Sequence, residues 1–143
     1  MDKYSSEPKT TPPEYGTEIV TVRPSQEVLT KQQLPYFLGI SDKTTGAKQL
    51  SMNLVVIPPG AKAEPHYHKD FETGIYVLQG RVETRYGEGL NKSVVNEAGD
   101  FVFIPPNLPH QPFNLSDEET AIGIVVRSDS NEQENVVPYE SNL

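Results

Sequence analysis

The sequence predicts an all-β fold, a sandwich or barrel of about ten short strands in a single domain. Three observations predict it. Ten glycines and thirteen prolines punctuate 143 residues, so no segment runs far before a turn signal. The apolar residues between those signals are often β-branched and show no helical period. One run, Arg81 to Tyr86, alternates cleanly: Arg81, Glu83 and Arg85 on one face, Val82, Thr84 and Tyr86 on the other. A period of two marks a strand with one solvated and one covered face.

Taken in order, Met1 to Gly16 is polar and rich in proline and reads as a mobile arm, which sets an N-terminal boundary at residue 17. Glu18 to Val22 reads as the first strand, ended by Arg23-Pro24, and Ser25 to Lys31 as one helical turn. Tyr36 to Ser41 is a strand closed by a turn containing Thr45-Gly46. Gln49 to Ile57 is longer and is stopped by Pro58-Pro59-Gly60, because proline cannot donate to a ladder and glycine permits the turn. Then follow Glu64 to His68, Thr73 to Leu78, Arg81 to Tyr86, Ser93 to Asn96, Phe101 to Ile104, His110 to Phe113 and Ala121 to Arg127. The barrel domain is thus 18–127. From Ser128 to Leu143 the chain is a polar, acidic tail that reads as a second mobile arm, except for the apolar island Val136 to Tyr139, which is placed to strap onto the body or a partner subunit.

The composition excludes several functions. A net charge of −8 and scattered basic residues provide no phosphate-neutralising face, so neither nucleic acid nor an anionic membrane is expected as a partner. With no cysteine there is no disulfide framework, thiolate metal site or cysteine nucleophile. Met1 to Ser6 does not read as a signal peptide and no apolar run approaches membrane-helix length, so a cytoplasmic protein is expected.

The three histidines stand out. His66 and His68 are two residues apart, so on a strand both imidazoles face the same way, with Tyr67 opposite. His110 arrives from another strand after a Pro-rich turn. Two imidazoles from one strand and one from another, with a carboxylate at Glu72, form a candidate ligand set for a divalent transition metal. An ordinary histidine pKa would place loss of such a metal near pH 6.5, where the ligands protonate.

These residues sit in two spaced motifs. Gly60 is followed after five residues by His66-Tyr67-His68, then after three by Glu72, then after seven by Gly80. Gly99 is followed after five residues by Pro105, then by Pro106-Asn107, after two residues by His110 and after three more by Asn114. In this the chain resembles the cupin superfamily, over Gly60 to Asn114 and its flanking strands. It departs from the pattern at Asn107, where glycine is usual. Asparagine is the next-best residue for left-handed backbone, so the turn survives.

The resemblance implies a double-stranded β-helix (jelly-roll) barrel with one interior metal, iron, manganese, zinc or nickel, held by His66, His68 and His110 and often a glutamate. Counted forward from His68, that glutamate is Glu72; counted back from Gly80, the position is Thr73. Strand parity favours Thr73, which shares a face with Ile75 and Val77, so a three-histidine site lined by Thr73 is expected. Thr84, Tyr86, Asn53 and Gln111 are candidate polar groups of the pocket, each with the alternative of a hydrogen bond within the sheet. Small cupins often pair, so a homodimer is expected, with the face of Tyr76 and Leu78 as candidate surface.

Fold does not choose among cupin activities. An open, histidine-ligated metal points first to a metal-dependent enzyme acting on a small organic molecule, with oxygenase chemistry ahead of decarboxylation or isomerisation. The alternatives are a metal-containing module that binds or senses a small ligand without turnover, and a cupin without metal.

Overall fold

A computed structural model describes residues 15–24 and 27–140. The N-terminal arm expected up to residue 17 falls almost wholly outside the described residues. Among the described residues eleven strands form two antiparallel sheets that face each other. They are β1 (Glu27–Leu29), β2 (Pro35–Ile40), β3 (Ser51–Ile57), β4 (His66–His68), β5 (Thr73–Gln79), β6 (Arg81–Tyr86), β7 (Lys92–Glu97), β8 (Phe101–Ile104), β9 (His110–Asn114), β10 (Ala121–Arg127) and β11 (Val136–Pro138). One sheet has the order β1-β2-β3-β10-β5-β8, the other β11-β4-β9-β6-β7.

The alternation seen in the sequence sets the inside. Ser51, Asn53 and Ile57 of β3, Ala121 and Val125 of β10, and Thr73 and Val77 of β5 are all buried, two residues apart or multiples of two. Their neighbours Met52, Val126 and Leu78 point outward and are exposed. Leu34, Ile57, Ala63 and Ala121 form a buried apolar cluster. Gly80 joins β5 to β6 at φ 91°, and a Cβ there would lie 2.9 Å from the Cα of Ala121, so conformation and space both require glycine.

Three local expectations are corrected. Glu18 to Val22 forms no strand: among the described residues no strand pairs with it, and Ile19 is almost fully exposed. The helical turn expected over Ser25 to Lys31 is instead β1, part of a hairpin with β2, its register running from Glu27 opposite Phe37 to Leu29 opposite Pro35; residues 25 and 26 lie outside the described residues. Thr30 closes that hairpin by donating its hydroxyl to Leu34 O (2.9 Å) and accepting from Leu34 N–H (3.2 Å). The turn at Thr45-Gly46 is a one-turn helix, α1 (Asp42–Thr45), capped by reciprocal Ser41–Thr44 bonds and ended by left-handed Gly46.

Over residues 128–140 the chain is a strap. A 3-10 turn over Glu132–Asn135 leads into β11, which pairs with β4: Val136 opposite His68, Val137 opposite Tyr67 and Pro138 opposite His66. The apolar island thus covers an edge that would otherwise leave the histidine strand unpaired on one side.

Candidate metal centre

Strand geometry brings the histidines together. His66 and His68 occupy alternate positions of β4 and point into the barrel, both buried. β9 lies beside β4 with His110 directly opposite His66. The turn that delivers His110 is tied to β4 by Asn107, whose N–H donates to His68 O (2.8 Å) and whose side chain exchanges two hydrogen bonds with Asp70. Asn107 takes φ 64°, the left-handed backbone expected of it. The three ring centroids lie 4.3 to 5.2 Å apart, and each ring offers a nitrogen within 4.8 Å of the others.

Each imidazole is held through Nδ1. His66 Nδ1 lies 2.7 Å from Glu64 O, His110 Nδ1 2.9 Å from Leu108 O, and His68 Nδ1 2.8 Å from Thr73 Oγ1. A carbonyl only accepts, so His66 and His110 carry their proton on Nδ1 and present a bare Nε2. For His68 the same tautomer leaves Nε2 bare, and Nε2 is buried without a hydrogen-bond partner among the described residues. Such an orphaned lone pair fits a metal ligand, and Nδ1 anchoring fixes ring orientation. Phe71 stacks on His68 at 4.9 Å and limits its rotation.

Burial keeps the imidazoles neutral. It lowers His66 to about 3, helped by His110 and opposed by the Glu64 carbonyl. It lowers His110 to about 4 despite the Leu108 carbonyl, with Arg127 adding to the effect. His68 is lowered further, by burial first and then by Arg127. Protonation near pH 6.5, expected from an ordinary histidine, is thereby displaced downward in the folded protein.

The other candidate residues separate. Thr73 is fully buried and contacts His68, whereas Glu72 is exposed and its backbone is bonded to Ser128. Among the described residues only the three histidines form a metal-capable group. Thr84 lines the cavity. Tyr86, Asn53 and Gln111 do not: Asn53 Oδ1 accepts from Gly39 N–H (2.9 Å), and Gln111 Nε2 donates to Ala63 O (3.0 Å), so their amides serve the sheets. Tyr86 sits opposite His110 on β6, outside the lining.

The cavity continues past the histidines into the barrel, about 80 Å³ in volume, with a wall that includes Val55, Val77, Val82, Val102 and Ile104. One charged side chain interrupts this wall. Arg127, at the end of β10, is buried and donates through Nη2 to the Tyr36 hydroxyl (2.6 Å), which also accepts from Gln32 Nε2 (3.0 Å). Glu132, from the strap, lies 3.6 Å from Arg127 Nη1. Sequence reading missed this group. Its one signal was parity: Ala121, Gly123, Val125 and Arg127 share the inward face, so the charge had to be inside.

A β-barrel whose interior carries three convergent neutral imidazoles at the mouth of an apolar cavity defines a histidine-cluster barrel protein with a small-molecule-sized interior. The chain belongs to the cupin domain family, whose model matches residues 53–127. It is 33% identical over 66 residues to the H2HPP isomerase of Bacillus subtilis, covering 46% of this chain and 27% of that protein. The chain spans less than half the length of the curated relatives it matches. The polyketide cyclase RemF of Streptomyces resistomycificus superposes with a TM-score of 0.62 at 23% identity, over 82% of this chain and 79% of that one. Oxalate decarboxylase of Bacillus subtilis, described with Mn(II) centres, superposes with a TM-score of 0.63 at 21% identity, over 74% of this chain and 28% of that one. These superpositions establish the shared fold.

Proposed function

We propose that the protein is a metal-dependent enzyme acting on a small organic molecule, with His66, His68 and His110 as the ligands of one divalent transition metal. The observation that carries this reading is the common arrangement of the three rings: each Nδ1 is engaged, and each ring offers a nitrogen within 4.8 Å of the others. Three neutral nitrogen donors suit iron, manganese, zinc or nickel, and the manganese centres of a decarboxylase with this fold support that range. When bound, such an ion supplies Lewis acidity toward a substrate oxygen, or a redox centre for oxygenase chemistry.

The chain's own residues do the rest. The Glu64 and Leu108 carbonyls hold His66 and His110 in one tautomer, and the Thr73 hydroxyl orients His68. The apolar wall excludes water and receives the body of the substrate. The test is oxygen uptake and product formation by protein reconstituted with iron(II) in air, against a panel of small phenols, diketones and keto acids. Turnover that disappears in His68→Ala supports the reading.

A metal-containing binding or sensing module is the second reading. It is favoured by one observation: among the described residues no carboxylate joins the histidines to serve as a proton acceptor. Saturable ligand binding with no product and no oxygen uptake would select it.

The same molecule is proposed to be a homodimer through the outer face of the six-stranded sheet. Register aligns Phe101, Tyr76, Ile124, Leu54 and Phe37 in one row, and Phe103, Gly74, Val126, Met52 and Ile40 in the next. Phe101 is 84% exposed and Phe103 61%, on a sheet face without a charge in either row. A contiguous apolar face of this kind marks an interaction surface.

A further inference from the structure

Arg127 holds three nitrogens in a buried site, and among the described residues only one of them has a hydrogen bond. Nη2 donates to Tyr36; Nε and Nη1 are buried and have no hydrogen-bond partner among the described residues. Its counter-ion does not fill that deficit. Glu132 stands 3.6 Å from Nη1, and both its oxygens instead accept from Gln133 Nε2, at 3.0 and 2.8 Å. Burial opposes the charge on Arg127, but Tyr36 and Glu132 outweigh it, so the guanidinium stays cationic. A buried cation with unsatisfied donors is costly unless something else meets them.

Arg127 also faces the place where a ligand would lie. It lines the same cavity as the histidines, and on β10 it stands opposite Thr73, the residue that holds His68. Beyond it the wall is apolar, with Val77, Val102 and Ile104. We infer, resting on the small-molecule site proposed above, that Arg127 and the Tyr36 hydroxyl anchor a carboxylate of the ligand, so that the ligands of this cavity are small carboxylic acids with an apolar body. A carboxylate only accepts hydrogen bonds, which is what free guanidinium N–H groups need. Arg127 is then a binding residue, and its contact with Glu132 sets its position.

The probe is benzoate, with benzamide as its uncharged counterpart. Calorimetric titration is made on the full chain, metal-free and zinc-loaded. Benzoate is expected to bind the metal-free protein at least about tenfold more tightly than benzamide, as charge-assisted hydrogen bonds imply. In Arg127→Gln that preference should vanish while benzamide binding is unchanged. The metal-free arm separates this outcome from the proposed function: if the histidines take up no metal but benzoate still depends on Arg127, the metal reading fails and the anchor stands. Equal affinities for benzoate and benzamide in the wild type, or full benzoate affinity in Arg127→Gln, would overturn the inference. If Arg127→Gln does not fold, the Nε–H NMR signal of Arg127, assigned through Arg127→Lys, decides it in the wild type. A shift on adding benzoate but not benzamide supports the anchor, and an unmoved signal refutes it.

Discussion

Thr73 Oγ1 lies 2.8 Å from His68 Nδ1, and through this contact the first residue of one sheet's strand fixes the imidazole of a strand in the other. The contact exists because the chain turns between His68 and Thr73 in five residues, with Asp70 at a left-handed φ of 64°, and starts β5 with Thr73 facing inward.

Replacing Thr73 with valine keeps the volume and removes the hydroxyl. His68 then loses its Nδ1 partner and the hydrogen bond that orients its ring. Metal affinity is expected to fall by about tenfold, the lower range for loss of an orienting partner. Competition with a fluorescent chelator measures it. An unchanged affinity would mean that Phe71 stacking alone holds the ring.

Glu72→Gln should do far less. Glu72 is exposed and directed away from the rings, so the same competition assay is expected to return wild-type affinity. A loss as large as that of His66→Ala would place the carboxylate among the ligands.

The histidines also make the metal-free protein acid-sensitive. Their folded pKa values lie below the ordinary 6.5, about 3 for His66 and about 4 for His110. Between those values and 6.5 the unfolded chain takes up protons that the folded chain refuses. Stability is therefore fully present above about pH 6.5 and declines as pH falls toward 4, with a slope on the order of 1.4 kcal/mol per pH unit for each such histidine. Urea unfolding of metal-free protein at pH 7, 6 and 5 checks this. A flat profile from pH 7 to 5 would contradict the buried, neutral state.

The strap should be essential to the barrel. Glu132→Gln removes the charge opposite Arg127, and both groups are buried, so a loss of about 3 kcal/mol in unfolding free energy is expected. Equilibrium urea denaturation reads it directly. A cost below about 1 kcal/mol would mean that Arg127 is satisfied without Glu132.

Much of this was legible in the sequence wherever the signal was local. Alternation at Arg81–Tyr86, the Pro58-Pro59-Gly60 stop and the parity of His66 and His68 each depend on neighbours within a few residues. The two spaced motifs then identified the barrel, and parity placed Thr73 rather than Glu72 on the inner face. What escaped was set by contacts distant in sequence. Glu18–Val22 has strand composition, but composition does not supply a neighbouring strand. Within the segment read as a helical turn, Glu27–Leu29 became β1 because β2 offers it an edge. Tyr36, Arg127 and Glu132 meet across about a hundred residues, and no short window contains that meeting.

The apolar sheet face predicts the assembly. Sedimentation at micromolar concentration should give the dimer mass, and Phe103→Glu, which places a charge on the edge strand at the end of one exposed row, should give the monomer with the fold retained. A monomeric wild type would assign that face to another partner.

The central claim is that three histidines form one metal centre, and elemental analysis of the purified chain tests it most directly. After dialysis against a divalent transition metal and removal of the excess, one ion per chain is predicted for the wild type and none for His68→Ala, with circular dichroism of the variant still β-rich. A wild type that retains no ion, or a His68→Ala variant that retains a full equivalent, would contradict it.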